Sequence, residues 1–142
     1  QDSSQSRGLV GFTSFISWPV QLENNTFGKR NRGKNRIELG ASANEYLRHI
    51  AISRLFFDNI FHIQASWPTM GLDIAQLALL AGADDIGSTM MEENVVSASG
   101  TTKTMASESE LQRIISEAGF IPKLRDSDYV FSENIVVRSN TP

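Results

Sequence analysis

Two extended, β-rich runs, Phe61–Trp67 and Asp85–Met91, lie about 22 residues apart with one helical pattern between them, and this spacing constrains the fold more than any other feature. So short a connection holds one helix and two loops, so the strands run parallel and the crossover is right-handed. An earlier run, Gly11–Trp18 (Gly-Phe-Thr-Ser-Phe-Ile-Ser-Trp), is aromatic and β-branched, lies between Gly8 and Pro19, and reads as a buried strand. A long polar loop then leads to about Ala41. Ser42 and Glu45 have capping-box spacing and predict a helix over 43–58, with Leu47, Ile50, Ala51 and Leu55 at helical intervals. Pro68 is expected to stop the second strand, because proline cannot donate to a ladder. The next helix is predicted over 72–81, with Ala75 and Leu79 beside a stripe of Leu72, Gln76 and Leu80, and with Gly82 as its cap. Ser107 and Glu110 box a last helix over 108–118, whose apolar face is Leu111, Ile114, Ile115 and Ala118 and which Gly119 ends. Ile121 to Val137 reads as a weaker, extended tail.

The order β-α-β-α-β-α makes this an α/β chain with parallel strands. Three such units cannot close a barrel, since the eight-unit form takes about 250 residues. The chain therefore reads either as a small open sheet or as the last three β/α units of a TIM-type barrel, a single partial domain over residues 1–142. Its first residue is Gln1, in a polar segment, so a piece of a longer protein is expected. A net charge of -3 argues against nucleic acid as a partner of the whole domain. No apolar run approaches the roughly 20 residues of a membrane span, and the start carries no signal-peptide core. Residence in the cytoplasm, with no membrane partner, is the expectation. With no cysteine, the chain by itself offers neither a disulfide framework nor thiolates for zinc or an iron-sulfur cluster.

In parallel β/α architectures the loops after the carboxyl ends of the strands build the active site. Glu92 and Glu93 follow the third strand and are the catalytic candidates. Because strand side chains alternate, one carboxylate can face substrate while its neighbour faces the helical layer. In that position one would orient a polar substrate or move a proton; alternatively both are drawn to the positive end of a helix beginning near Asn94. Gln64, Ser66 and Trp67 end the second strand, and Ser14, Ser17 and Trp18 end the first. Polar groups next to tryptophan at both ends fit a pocket with a flat aromatic wall, suited to a ring or a sugar; the tryptophans also serve simply as cover. The run Gly28–Arg36 places five cations in nine residues, a charge that could receive phosphate or nucleic acid, but without interleaved aromatics for base stacking it reads rather as a solvated loop. His49 and His62 have no matching carboxylate or third ligand in sequence, so no metal site is assigned. No P-loop, dinucleotide fingerprint or nucleophile elbow is present.

Four stretches together resemble a known family. Gly11–Trp18, Tyr46–Arg54, Asp58–Trp67 and Gly82–Val96 resemble the carboxyl-terminal part of radical S-adenosylmethionine enzymes. Within that superfamily His62-Ile-Gln-Ala-Ser-Trp67 and Glu92-Glu-Asn-Val-Val96 are most similar to the cyclic dehypoxanthinyl futalosine synthase family of menaquinone biosynthesis. Aminofutalosine synthase and the deazaflavin-cofactor FO synthase are its near relatives and stay open as alternatives, as does a non-catalytic half-barrel binding module. The resemblance covers about Gly8 to Tyr129. It implies a full barrel whose first unit holds a 4Fe-4S cluster on three cysteines, with S-adenosylmethionine as the radical source and a nucleoside-type substrate that is cyclised. By position in that family Ser14, Gln64, Ser66, Ser88, Glu92 and Glu93 would line the substrate cavity, with Trp18 and Trp67 as walls. The cluster cysteines and the amino-terminal strands are missing, so the chain alone is expected to be inactive. Its partners would be the amino-terminal half of the barrel or, through open sheet edges, a second copy.

Overall fold

The structure is a computed structural model that describes residues 11–20, 22, 26–31, 41–89 and 106–132. Its sheet is small and parallel: β1 (Ser14–Ile16) pairs with β2 (His62–Gln64), in the register Ser14 to His62, Phe15 to Ile63 and Ile16 to Gln64. Asp85 extends the sheet by one parallel bridge to Gln64. The Ala65 N–H donates to the Asp85 carbonyl at 2.8 Å and the Asp84 N–H to the Ile63 carbonyl at 3.1 Å. All three strands are shorter than their sequence patterns. Where a full third strand over 85–91 was expected, pairing stops at Asp85, because Gly87 adopts a φ of +84° and turns the chain off the ladder. Residues 90 and 91 lie outside the described residues.

Helices α1 (Thr26–Arg30), α2 (Ala43–Phe56), α3 (Trp67–Met70), α4 (Leu72–Leu80) and α5 (Glu108–Glu117) complete the described elements. Two of them depart from the sequence reading. α1 forms within the stretch expected to be loop, and α3 begins at the residue pair expected to end β2. Pro68 explains the second case: at the first turn of a helix its missing N–H costs nothing and its fixed φ is already helical. α2 and α5 each open on a complete capping box. In both, the serine side chain accepts from the N3 backbone and the N3 glutamate accepts from the cap N–H, through Ser42 with Glu45 and Ser107 with Glu110.

Helices cover one face of the sheet. Ile63, Ala65 and Ile86 on the strands meet Tyr46 and Ile50 of α2, Ala75, Ala78 and Leu79 of α4, and Leu111 and Ile114 of α5 in one apolar cluster. The buried stripe of α2 is Tyr46, Ile50 and Ser53. That is the i, i+4, i+7 row, rotated from the expected one, so that Leu55 is left 88% exposed. The alternating positions Ser14, Ile16, His62 and Gln64 face the other way, away from the helices. The sheet thus has a covered face and a face on which no helix among the described residues packs.

Tyr46 links the two layers. It is 1% exposed, and its hydroxyl accepts the Ser66 N–H at 2.8 Å where β2 hands over to α3. Burial pushes its pKa above the ordinary tyrosine value, opposed by that hydrogen bond. Tyr46→Phe is expected to cost about 1–3 kcal/mol in thermal or denaturant unfolding, because it strands a buried donor. A raised folded-state pKa means that this contribution is complete below the ordinary tyrosine range and is lost as pH climbs through the folded value, so Tyr46→Phe should also remove part of the alkaline loss of stability. Ser107→Ala, which deletes one capping box, is expected to cost about 1 kcal/mol in the same assay.

Candidate functional site

The parallel register brings the carboxyl ends of β1 and β2 level, and the segment after Asp85 runs alongside them. Gln64 is the last residue of β2, on the uncovered face, and Gly87 lies directly beside it. A Cβ built on Gly87 would fall 2.3 Å from Gln64 Nε2, so the carboxamide occupies the space that the missing side chain leaves. Trp18, just past β1, is 45% exposed and presents aromatic surface at the same end. Gln64 and Trp18 are therefore sequence candidates that the fold leaves available to a ligand.

The other candidates sit differently. Trp67 is only 2% exposed and belongs to the core; its indole N–H donates to the Ser88 carbonyl at 3.1 Å and so clips the third segment to the start of α3. Ser88 itself is exposed beyond that clip. Ser66 is fully buried, with its N–H on Tyr46 and its Oγ taking the Thr69 hydroxyl at 2.7 Å. Ser66 and Trp67 thus stand in the core and fix the junction of β2 with α3. Ser14 opens β1 instead of closing it: it stands level with His62 at the amino end and is hydrogen-bonded to Tyr129. Strand shortening is the cause, since the ladder begins at Ser14 and residues 11–13 stay outside it. Glu92 and Glu93 lie outside the described residues, as do Arg32 to Arg36 of the basic run.

The amino ends of the strands carry a polar cluster that sequence reasoning missed. His62 is not without a carboxylate, because its Nδ1 is 2.7 Å from Asp84 Oδ2. The other oxygen, Asp84 Oδ1, takes Arg54 at 2.6 Å and the Ile63 N–H at 2.7 Å. Arg54 also donates to the carbonyls of Gly82 and Phe61, each at 2.7 Å, and so ties α2 to the starts of both β2 and the third segment. Asp85, next in sequence, serves the uncovered face. Its Oδ2 accepts from Arg125 and, at 2.9 Å, from the Tyr129 hydroxyl, while Oδ1 takes the Gly87 N–H at 2.9 Å.

The segment after α5 folds back over this cluster instead of extending. It closes on an antiparallel bridge from Arg125 to Phe131, with a turn in which the Asp126 carboxylate accepts the N–H groups of Asp128 and Val130. Tyr129 stacks on His62, with ring centroids 3.8 Å apart and planes within 9°, and Arg125 lies over its other side at 4.3 Å. Its φ of +61° costs about 1–3 kcal/mol for a non-glycine residue and persists because these contacts over-determine it. Burial raises the Tyr129 pKa above its ordinary value, the hydrogen bond with Ser14 acting in the opposite direction and Asp85 in the same one. The sequence signals that could have found this cluster were the paired Asp84-Asp85 at a strand start and the Arg125-Asp-x-x-Tyr129 spacing.

A cavity of about 540 Å³ lies between the 83–89 segment, α5 and the 120–131 segment, with Ile86, Leu111, Ile115 and Phe120 among its apolar walls and Gln112 and Lys123 among its polar ones. At one end it reaches the polar cluster, where His62, Asp84, Asp85, Arg125 and Tyr129 also line it. Neither this cavity nor the strand ends can hold an iron-sulfur cluster on residues of this chain, because it contains no cysteine thiolate.

Comparison with known proteins places the chain. Residues 9–137 match the family model described as CofH/MqnC C-terminal region. The chain is 48% identical over 118 residues to cyclic dehypoxanthine futalosine synthase of Halalkalibacterium halodurans, which covers 83% of this chain and 30% of that protein. Against the protein of the same name from Streptomyces coelicolor it is 44% identical over 130 residues, 92% of this chain and 30% of the relative. It is also 41% identical over 125 residues to the 5-amino-6-(D-ribitylamino)uracil--L-tyrosine 4-hydroxyphenyl transferase of Methanococcus maripaludis strain C7, 87% of this chain and 34% of that protein. The chain thus spans 30–34% of the length of these curated relatives. The resemblance read from its motifs stands, and the chain belongs to the CofH/MqnC C-terminal region family.

Proposed function

We propose that this chain is the substrate-facing, carboxyl-terminal part of a radical S-adenosylmethionine enzyme that cyclises dehypoxanthine futalosine. In this reading β1, β2 and the 84–89 segment are the last three strands of a TIM-type barrel and their uncovered face looks into it. The observation that carries the proposal is the 48% identity to a cyclic dehypoxanthine futalosine synthase. The geometry supports it, because the carboxyl end of β2 carries a polar carboxamide, Gln64, level with Ile16, and Trp18, two residues past Ile16, exposes aromatic surface. Those are the groups a nucleoside calls for, a hydrogen-bonding partner and a flat apolar wall.

The chain's part is confined to substrate: Gln64 and Ser88 bind polar groups, Trp18 stacks, and Trp67 and Ser66 keep the wall rigid. Glu92 and Glu93 follow the third segment, and one of them orients the substrate or moves a proton. A second reading is transfer of a 4-hydroxyphenyl group onto a ribityl-bearing uracil, favoured by the 41% identity to the Methanococcus protein. It needs the same kind of wall for a different ring.

Co-production with the amino-terminal half of the Streptomyces relative, anaerobic reconstitution and assay of both reactions tests the proposal. Cyclisation of dehypoxanthine futalosine is expected, with Glu92→Gln or Glu93→Gln lowering turnover on the order of 100-fold. Turnover of the ribityluracil with tyrosine alone, or failure of the halves to associate together with no binding of the nucleoside, would overturn it.

A further inference from the structure

Asp85 makes a set of contacts that an ion-pairing role alone does not explain. Its side chain is only 10% exposed and its two oxygens are divided between different tasks. Oδ2 meets the folded-back segment through Arg125 and the Tyr129 hydroxyl. Oδ1 takes the N–H of Gly87, two residues on, the local bond by which an aspartate fixes a turn in its own backbone. That turn leaves Gly87 at a φ of +84°, a conformation that side-chain-bearing residues rarely adopt. The consequence falls on Gln64: its Nε2 lies where any side chain at position 87 would start. Asp85 and Gln64 are also paired across the sheet, so the carboxylate and the carboxamide stand on the same face.

We infer that Asp85 is a positioning residue for Gln64. By holding the Gly87 N–H it fixes the bare glycine turn against which the carboxamide lies, and so sets where that amide meets substrate. Arg125 and Tyr129 hold Asp85 in turn, which makes the 125–131 segment a brace for the binding group that Asp85 faces across the sheet. The inference rests on the proposed role of Gln64 at the substrate wall; the brace itself is a property of this chain.

The test separates the turn from the ion pair. Asp85→Ala removes both; Asp85→Asn keeps a carbonyl oxygen for the Gly87 N–H while giving up the charge facing Arg125; Gly87→Ala displaces the Gln64 amide directly. The readouts are the Gln64 side-chain amide resonances in the isotope-labelled chain and, in the reconstituted two-part enzyme, KM against kcat for dehypoxanthine futalosine. Asp85→Ala and Gly87→Ala are expected to shift the Gln64 amide and to raise KM on the order of tenfold, as a displaced binding group does. Asp85→Asn should keep the resonance and KM close to the parent values although its melting temperature falls.

If Asp85→Asn is as impaired in KM as Asp85→Ala, or if the Gln64 amide stays put in Asp85→Ala and Gly87→Ala, the inference is wrong. Should Asp85→Ala not fold, Gly87→Ala and Asp85→Asn still decide it. An inactive reconstituted parent would count against the functional proposal, whereas the resonances would report on the brace regardless.

Discussion

Two backbone hydrogen bonds, from Ala65 to Asp85 and from Asp84 to Ile63, set the terms for everything else in this chain. They join two segments in parallel, and a parallel pair must be connected by an excursion over one face of the sheet. α3 and α4 make that excursion, and with α2 and α5 they bury Ile63, Ala65 and Ile86. The covered face supplies the hydrophobic free energy, at roughly 25 cal/mol per Å² of apolar surface removed from water. The other face, bearing Ser14, Ile16, His62 and Gln64, is thereby left without a helix among the described residues.

Adjacent aspartates then divide the work between the two sides. Asp84 gathers Arg54, His62 and the Ile63 N–H, binding α2 to the crossover, while Asp85 gathers Arg125, Tyr129 and the Gly87 N–H on the uncovered side. The Arg54 and Asp84 side chains are 32% and 40% exposed, and a pair that open to solvent adds at most about 1 kcal/mol. What the pair secures is geometry. Arg54 also holds the carbonyls of Gly82 and Phe61, fixing where the second and third segments begin.

How much of this was legible depended on whether the signal was local. Both capping boxes were readable, because Ser-x-x-Glu carries its own partners within one turn. The parallel crossover was readable too, because its length admits one helix. Leu55 stands at a helical interval from Ala51 and is nevertheless exposed, because several apolar rows on α2 fit a helical period and only the tertiary partner selects Tyr46, Ile50 and Ser53. α3 was missed because Pro68 ends a strand and starts a helix equally well. His62 looked unpaired because its carboxylate, Asp84, lies 22 residues away in sequence. Ser14 was placed at the wrong end of β1 because periodicity does not show where a ladder stops. The family resemblance, by contrast, rested on long runs of identity and did not depend on any of these local readings.

Under the proposed function, substrate lies on the uncovered face, at the carboxyl ends of the strands. The most direct measurement is a crystal structure of this chain assembled with a relative's amino-terminal half and soaked with dehypoxanthine futalosine. The nucleoside is expected against that face, with the Gln64 carboxamide at hydrogen-bonding distance, about 3 Å, and Trp18 flanking it. A nucleoside seated instead in the cavity between the 83–89 segment and α5, with Gln64 untouched, would contradict it.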